Sequence, residues 1–139
     1  MQERAPLAAQ LEDVARRFPE LDLLVMFGST ARGAGHGGSD VDLGLLSPLA
    51  TSATRQELEV AFARAGRRRV DLVDLQEASP LLRFEIARDG VLVWEGRPHA
   101  WQDFKARAMV DWWDWKPMAE RLQRAAARRL ARQVEHGSP

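Results

Sequence analysis

The chain has 139 residues, with 20 Lys and Arg against 20 Asp and Glu, 45% hydrophobic residues, no cysteine and no tyrosine; such a length suits one domain that buries about two thirds of its unfolded surface. Balanced charge excludes a disordered polyelectrolyte and an overall basic nucleic-acid wrapper, the missing cysteine excludes disulfides, thiol nucleophiles and Cys-ligated zinc, and three scattered histidines (His36, His99, His136) leave carboxylates as the only side chains to hold a metal. No run of about twenty apolar residues suggests a membrane span, and an N-terminal stretch holding Glu3, Glu12 and Asp13 is unlike a signal peptide, so a cytoplasmic protein is expected.

From Pro6 to Phe18 the residues Leu7, Leu11, Val14, Ala15 and Phe18 share one helical stripe, which predicts an amphipathic helix stopped by Pro19. Leu21 to Phe27 is a nearly continuous apolar run of strand length and reads as a buried central strand ended by Gly28. Gly28 to Ser39 holds five glycines and predicts a loop with at most one helical turn near Thr30 to Arg32. Asp40 to Leu46 is a second strand, pairing with the first like a hairpin around that loop and closed by Pro48.

Thr54 and Glu57 have capping-box spacing, and Leu58, Ala61, Phe62 and Ala65 carry a helix to Gly66. Val70 to Leu75 is a strand in which Asp71 and Asp74 interrupt aliphatic residues. Ser79 and Pro80 predict an N-cap and first position of a helix ending at Gly90, before a short strand from Val91 to Trp94. Beyond Pro98, the residues Trp101, Phe104, Ala108, Trp112 and Trp115 mark one helical face, which Pro117 should kink or interrupt and which Leu122, Ala125, Ala126 and Leu130 renew. The fold class is α/β, a mixed sheet packed with helices plus a C-terminal helical segment, with residues 1–96 as core and 97–139 as a helical extension packed on it.

Chemistry concentrates in Phe27-Gly28-Ser29-Thr30-Ala31-Arg32-Gly33 and Ser39-Asp40-Val41-Asp42-Leu43. A strand ending at Gly-Ser and opening into a helical turn presents backbone N–H groups and a hydroxyl together, as a polyphosphate requires, and Arg32 can add a charge-assisted contact. Asp40 and Asp42, two apart on a strand, leave the same face with Cα atoms about 6.5–7 Å apart, a spacing that can share a pair of Mg²⁺ ions. Asp71 and Asp74 leave opposite faces of the third strand, so only one can join them, and composition does not choose between the two. Turn or strand-edge carboxylates, and for Asp71 a structural partner of Arg67 to Arg69, are the bland alternatives, while Asp74 reads as solvent-facing. His36 reads as an exposed loop residue, Trp101, Trp112 and Trp115 as core, Trp113 as an exposed partner contact, and Arg121, Arg124, Arg128, Arg129 and Arg132 as a solvated face.

The two segments resemble the signature of the minimal nucleotidyltransferases of the DNA polymerase beta superfamily. Arg69-Val70-Asp71-Leu72-Val73 is similar to that family's third-carboxylate strand, which favours Asp71, and Phe104 to Trp115 with Pro117 looks like the C-terminal helix of the MntA-type adenylyltransferase antitoxins of HEPN/MNT toxin–antitoxin pairs. The resemblance implies a polymerase-beta-like fold and transfer of AMP from ATP, with two Mg²⁺ ions, to a tyrosine of a HEPN-domain ribonuclease toxin that is thereby silenced. It assigns the ATP phosphates to Gly28 and Ser29, with Arg32 and Ser39 beside them, the metals to Asp40, Asp42 and Asp71, and the proton of the incoming hydroxyl to Asp71. Direct nucleic-acid binding is not expected, and a chain without tyrosine cannot modify itself at that residue type. Transfer to a small molecule and a non-catalytic antitoxin acting by docking alone are the alternatives.

Overall fold

The structure, a computed structural model, describes residues 4–31, 40–48 and 50–136. In chain order the elements are α1 (Arg4–Ala15), β1 (Leu23–Phe27), α2 (Gly28–Ala31), β2 (Val41–Leu46), α3 (Ser52–Gly66), β3 (Val70–Asp74), α4 (Pro80–Asp89), β4 (Val91–Glu95) and α5 (Ala100–His136). The sheet has the order β3-β2-β1-β4, so β3 and β4 are its edges. β1 runs antiparallel to β2 and β4, whereas β2 and β3 are parallel. Parallel neighbours need a crossover, and α3 supplies it.

β1 is apolar throughout because both of its faces are covered. Leu23, Leu24, Val25 and Met26 are all fully buried. On one face, Leu24 and Met26 join Val41, Leu43 and Leu45 of β2 against Leu7 and Leu11 of α1 and Leu58 and Phe62 of α3. On the other, Leu23 and Val25 meet Leu75, Ile86 of α4, and Ala100, Phe104 and Ala108 of α5. Each fully buried large apolar side chain contributes about 1.5–3 kcal/mol to this two-sided core. Alternation on β2 therefore has a consequence: with Val41, Leu43 and Leu45 turned to α1 and α3, Asp42 faces the α4 side.

Three details differ from the sequence reading. The N-cap of α3 is Thr51, whose hydroxyl accepts the Thr54 N–H at 3.2 Å, so Thr54 lies inside the helix and the cap sits three residues earlier than the Thr54–Glu57 pair suggests. α1 ends at Ala15, and Phe18 packs on the core from the turn that follows. Pro117 does not interrupt α5, which runs unbroken for 37 residues. Proline removes one N–H bond to the carbonyl four residues back, here that of Trp113; this turn is exposed, so water can take up the released carbonyl. Ser79 caps α4 as expected, accepting the Leu82 N–H at 3.2 Å with Pro80 at the first position.

Candidate active site

The acidic residues are positioned by strand register. Asp42 lies opposite Phe27 on β1 and opposite Asp71 on β3. Neighbouring strands are about 4.8 Å apart, and residues in register share a face, so Asp42 and Asp71 are side by side. Asp40 precedes β2 by one residue and is exposed; the Val41 N–H donating to the Arg69 carbonyl at 2.9 Å holds that strand end to β3. Burial first, and then the charges of Asp71 and Asp40, push the Asp42 carboxyl above its ordinary value. Three carboxylates thus gather against their own repulsion at one end of the sheet.

Gly28 is fitted to the same point. Its φ is +76°, and a Cβ built on it would overlap Oδ2 of Asp42. Glycine is needed here twice over, for the backbone conformation and for the approach of β1's end to the carboxylate. Gly28 and Ser29 open α2, whose first turn offers backbone N–H groups that a helix does not itself use. Arg32, Ser39 and His36 lie outside the described residues.

Asp74 is on the opposite face of β3, and it is not solvent-facing. Its side chain is 14% exposed, Arg55 of α3 reaches it at 2.8 Å, and its Oδ1 accepts the Gln76 N–H at 2.9 Å. Register and pairing together assign Asp74 to the α3 interface and Asp71 to the acidic group. Asp71 is exposed and makes no ion pair with any described residue, so a structural partnership with Arg67 to Arg69 is not seen.

Two hollows flank the carboxylates. One, of about 300 Å³, is walled by Phe27, Gly28, Leu82 and Ile86 and rimmed by Glu85, Arg88 and Asp89. The other is shallower and lies at the β3 edge, lined by Asp40, Asp71, Arg69 and Glu59. The rim residues of α4 were not singled out from the sequence, because nothing local distinguishes them. What brings them here is topology: β4 starts at the end of the sheet where β1 finishes, so the last turn of α4 must pass Gly28. An acidic group between an apolar hollow and a polar one can hold two reactants against a common centre.

Of the aromatic residues, Trp112 stacks on Phe84 at 5.1 Å and Trp101 on Phe104 at 5.8 Å, whereas Trp113 is 68% exposed. The five arginines from Arg121 to Arg132 are all exposed. Among the described residues no helix is long and apolar enough to cross a membrane.

A model of polymerase beta nucleotidyltransferases matches residues 9–98. The protein adenylyltransferase MntA of Shewanella oneidensis is 36% identical over 77 residues, 55% of this chain and 55% of that protein, so the match spans about half of that relative. The protein adenylyltransferase MntA of Aphanizomenon flos-aquae is 29% identical over 126 residues, 79% of this chain and 83% of that one. Among solved structures, a toxin–antitoxin crystallised with AMP-PNP aligns over 94% of this chain and 98% of its own, with 27% identity and a TM-score of 0.64. Since the matched segment reaches from α1 through β4 and contains Gly28, Ser29, Asp40, Asp42 and Asp71, the chain belongs to the polymerase beta nucleotidyltransferase family.

Proposed function

We propose that this chain is a protein adenylyltransferase and antitoxin that transfers AMP from ATP to a tyrosine of a HEPN-domain toxin. The observation that carries the reading is the register of Asp42 beside Asp71 with Gly28 pressed against Asp42. The names of the relatives, both protein adenylyltransferases, support the same reaction. Residues 1–96 form the catalytic core in this reading and residues 97–139 the helical extension. The cytoplasm is its proposed location.

The acidic group suits Mg²⁺ in kind, since its donors are all carboxylate oxygens whose mutual repulsion favours a bound cation. As they stand, no three acidic or histidine side chains among the described residues are close enough to grip an ion, so Asp40, Asp42 and Asp71 would have to turn towards one to hold it. Two Mg²⁺ ions held by Asp40, Asp42 and Asp71 would neutralise charge on the reacting phosphate and the departing pyrophosphate.

The chain's own residues do the remaining work. Gly28 and Ser29 bind the triphosphate through backbone N–H groups and the hydroxyl, with Arg32 and Ser39 assigned beside them. The tyrosine oxygen forms a bond to the α-phosphorus of ATP, the bond from that phosphorus to the bridging oxygen breaks, and pyrophosphate leaves. Asp71, exposed at the sheet edge where an acceptor can reach it, takes the phenolic proton. Positioning and charge neutralisation supply most of the acceleration.

Purified protein, the product of the adjacent reading frame and α-labelled ATP provide the test. Label on the partner's tyrosine, lost with Asp42→Asn, is expected. An unlabelled partner, or labelling that survives Asp42→Asn, overturns the proposal. If Asp42→Asn still protects cells, docking alone is the mechanism, and labelling of an aminoglycoside instead would indicate a small-molecule acceptor.

A further inference from the structure

The face of α5 that packs on the core does not end where the core ends. Phe104 and Ala108 are buried and Trp112 is half-buried against α4. At helical spacing the same stripe continues through Trp115, Ala119, Leu122, Ala126 and Leu130. Leu122 is 57% exposed and Leu130 is 63% exposed, with Met118 beside them at 51%. Beyond Pro117 the helix is thus a projecting arm of 19 residues, about 30 Å long, with one bare apolar ridge. An isolated amphipathic helix of that length is marginal in water without a surface to cover its ridge.

Charge selects what covers it. This arm carries five arginines, Arg121, Arg124, Arg128, Arg129 and Arg132, against Glu120 and Glu135 alone. None of the five is ion-paired with a described residue, in contrast to Arg83, which meets Asp111 at 2.9 Å where α5 lies on α4. A second copy of the arm would set arginines against arginines. A nucleic acid would engage the arginines and leave the ridge bare. A protein helix with an apolar strip and acidic flanks satisfies both faces.

We propose that the α5 arm from Met118 to Leu130 is a docking surface for an acidic, helical stretch of a protein partner. Resting on the function proposed above, that partner is the toxin itself. The arm would then recruit the toxin independently of the chemistry at Asp42 and Asp71.

The experiment measures affinity of the full chain for the purified HEPN-domain partner by calorimetry, without nucleotide, at two salt concentrations. Leu122→Glu with Leu130→Glu is expected to weaken binding by at least about tenfold, the scale of a central interface contact. Arg124→Glu with Arg128→Glu is expected to weaken it and to flatten its salt dependence. Circular dichroism should show both variants as helical as the parent. Unchanged affinity in the leucine pair overturns the proposal. So does light scattering that shows a dimer dissociated by the leucine pair, or a single-stranded RNA 20-mer that binds the arm more tightly than the partner does. AMP transfer is a separate readout: a labelled toxin whose affinity ignores the leucine pair refutes only the docking, and a bound but unlabelled toxin refutes only the enzymology.

Discussion

Asp71 and Asp74 sit three residues apart on one strand, and exchanging their fates is a sharp test of the register. Asp74→Ala removes the carboxylate that accepts the Gln76 N–H at 2.9 Å and meets Arg55 at 2.8 Å. A backbone hydrogen bond to a charged acceptor contributes about 1.5 kcal/mol, and an ion pair whose arginine is 42% exposed adds roughly 0.5 kcal/mol. A loss of about 2 kcal/mol lowers Tm by roughly 6–8 °C in a domain of this size. The rate of AMP transfer should be unchanged well below that Tm. Asp71→Asn has the opposite signature: the side chain is exposed and unpaired among the described residues, so Tm should not fall, while loss of the proposed base and metal ligand should slow transfer by about 10²–10⁴. Thermal unfolding and initial rates with labelled ATP read both effects on the same samples. An inactive but folded Asp74→Ala protein, or Asp71→Asn with more than about a tenth of the parent rate, would refute the assignment.

Asp42→Asn should abolish transfer and raise Tm at pH 7. The folded-state carboxyl is raised above the unfolded value of 3.8, so the charged form costs stability at neutral pH, and that cost is released as pH falls through the raised pKa. The Tm advantage of the variant should therefore shrink on acidification and vanish below about pH 3.8; a constant advantage across pH would contradict this. Asp71→Asn should also bring the Asp42 titration, followed by carboxyl NMR, back towards its ordinary position. Gly28→Ala should cost about 1–2 kcal/mol through its positive φ and, by displacing the Asp42 carboxylate, slow transfer by about a hundredfold, measured by Tm and rate together. Ser79→Ala removes the cap of α4 and should cost about 1 kcal/mol, with faster hydrogen exchange at Leu82.

Local signals carried the sequence reading wherever a physical constraint acts between near neighbours. Ser79-Pro80 named the start of α4, and the nearly continuous apolar run from Leu21 to Phe27 named β1 as central. Register between distant segments is a different kind of information. Whether Asp71 or Asp74 joins Asp42 depends on which residue of β3 lies opposite it, and both faces of that strand carry one aspartate. Only the family resemblance favoured Asp71. The pairing of Asp74 with Arg55 was missed because the two residues are 19 positions apart and neither has an unusual neighbour. Thr51 was missed because Thr54 offers the same chemistry one turn later. The rim of the apolar hollow was unreadable for a third reason, since Glu85, Arg88 and Asp89 become neighbours of Gly28 only through the return of the chain into β4.

β3 is an edge strand, and its free side is a template on which another chain could build. Val70, Leu72 and Val73 would make it a sticky one. Asp71, to which the proposed mechanism gives the phenolic proton, also keeps a charge on that border and so discourages pairing between copies. Inactivating replacements at position 71 should therefore divide by solubility: asparagine leaves a polar border, whereas valine completes an apolar, β-branched edge and invites aggregation. The residue proposed to carry the proton would then also guard the free edge of the sheet.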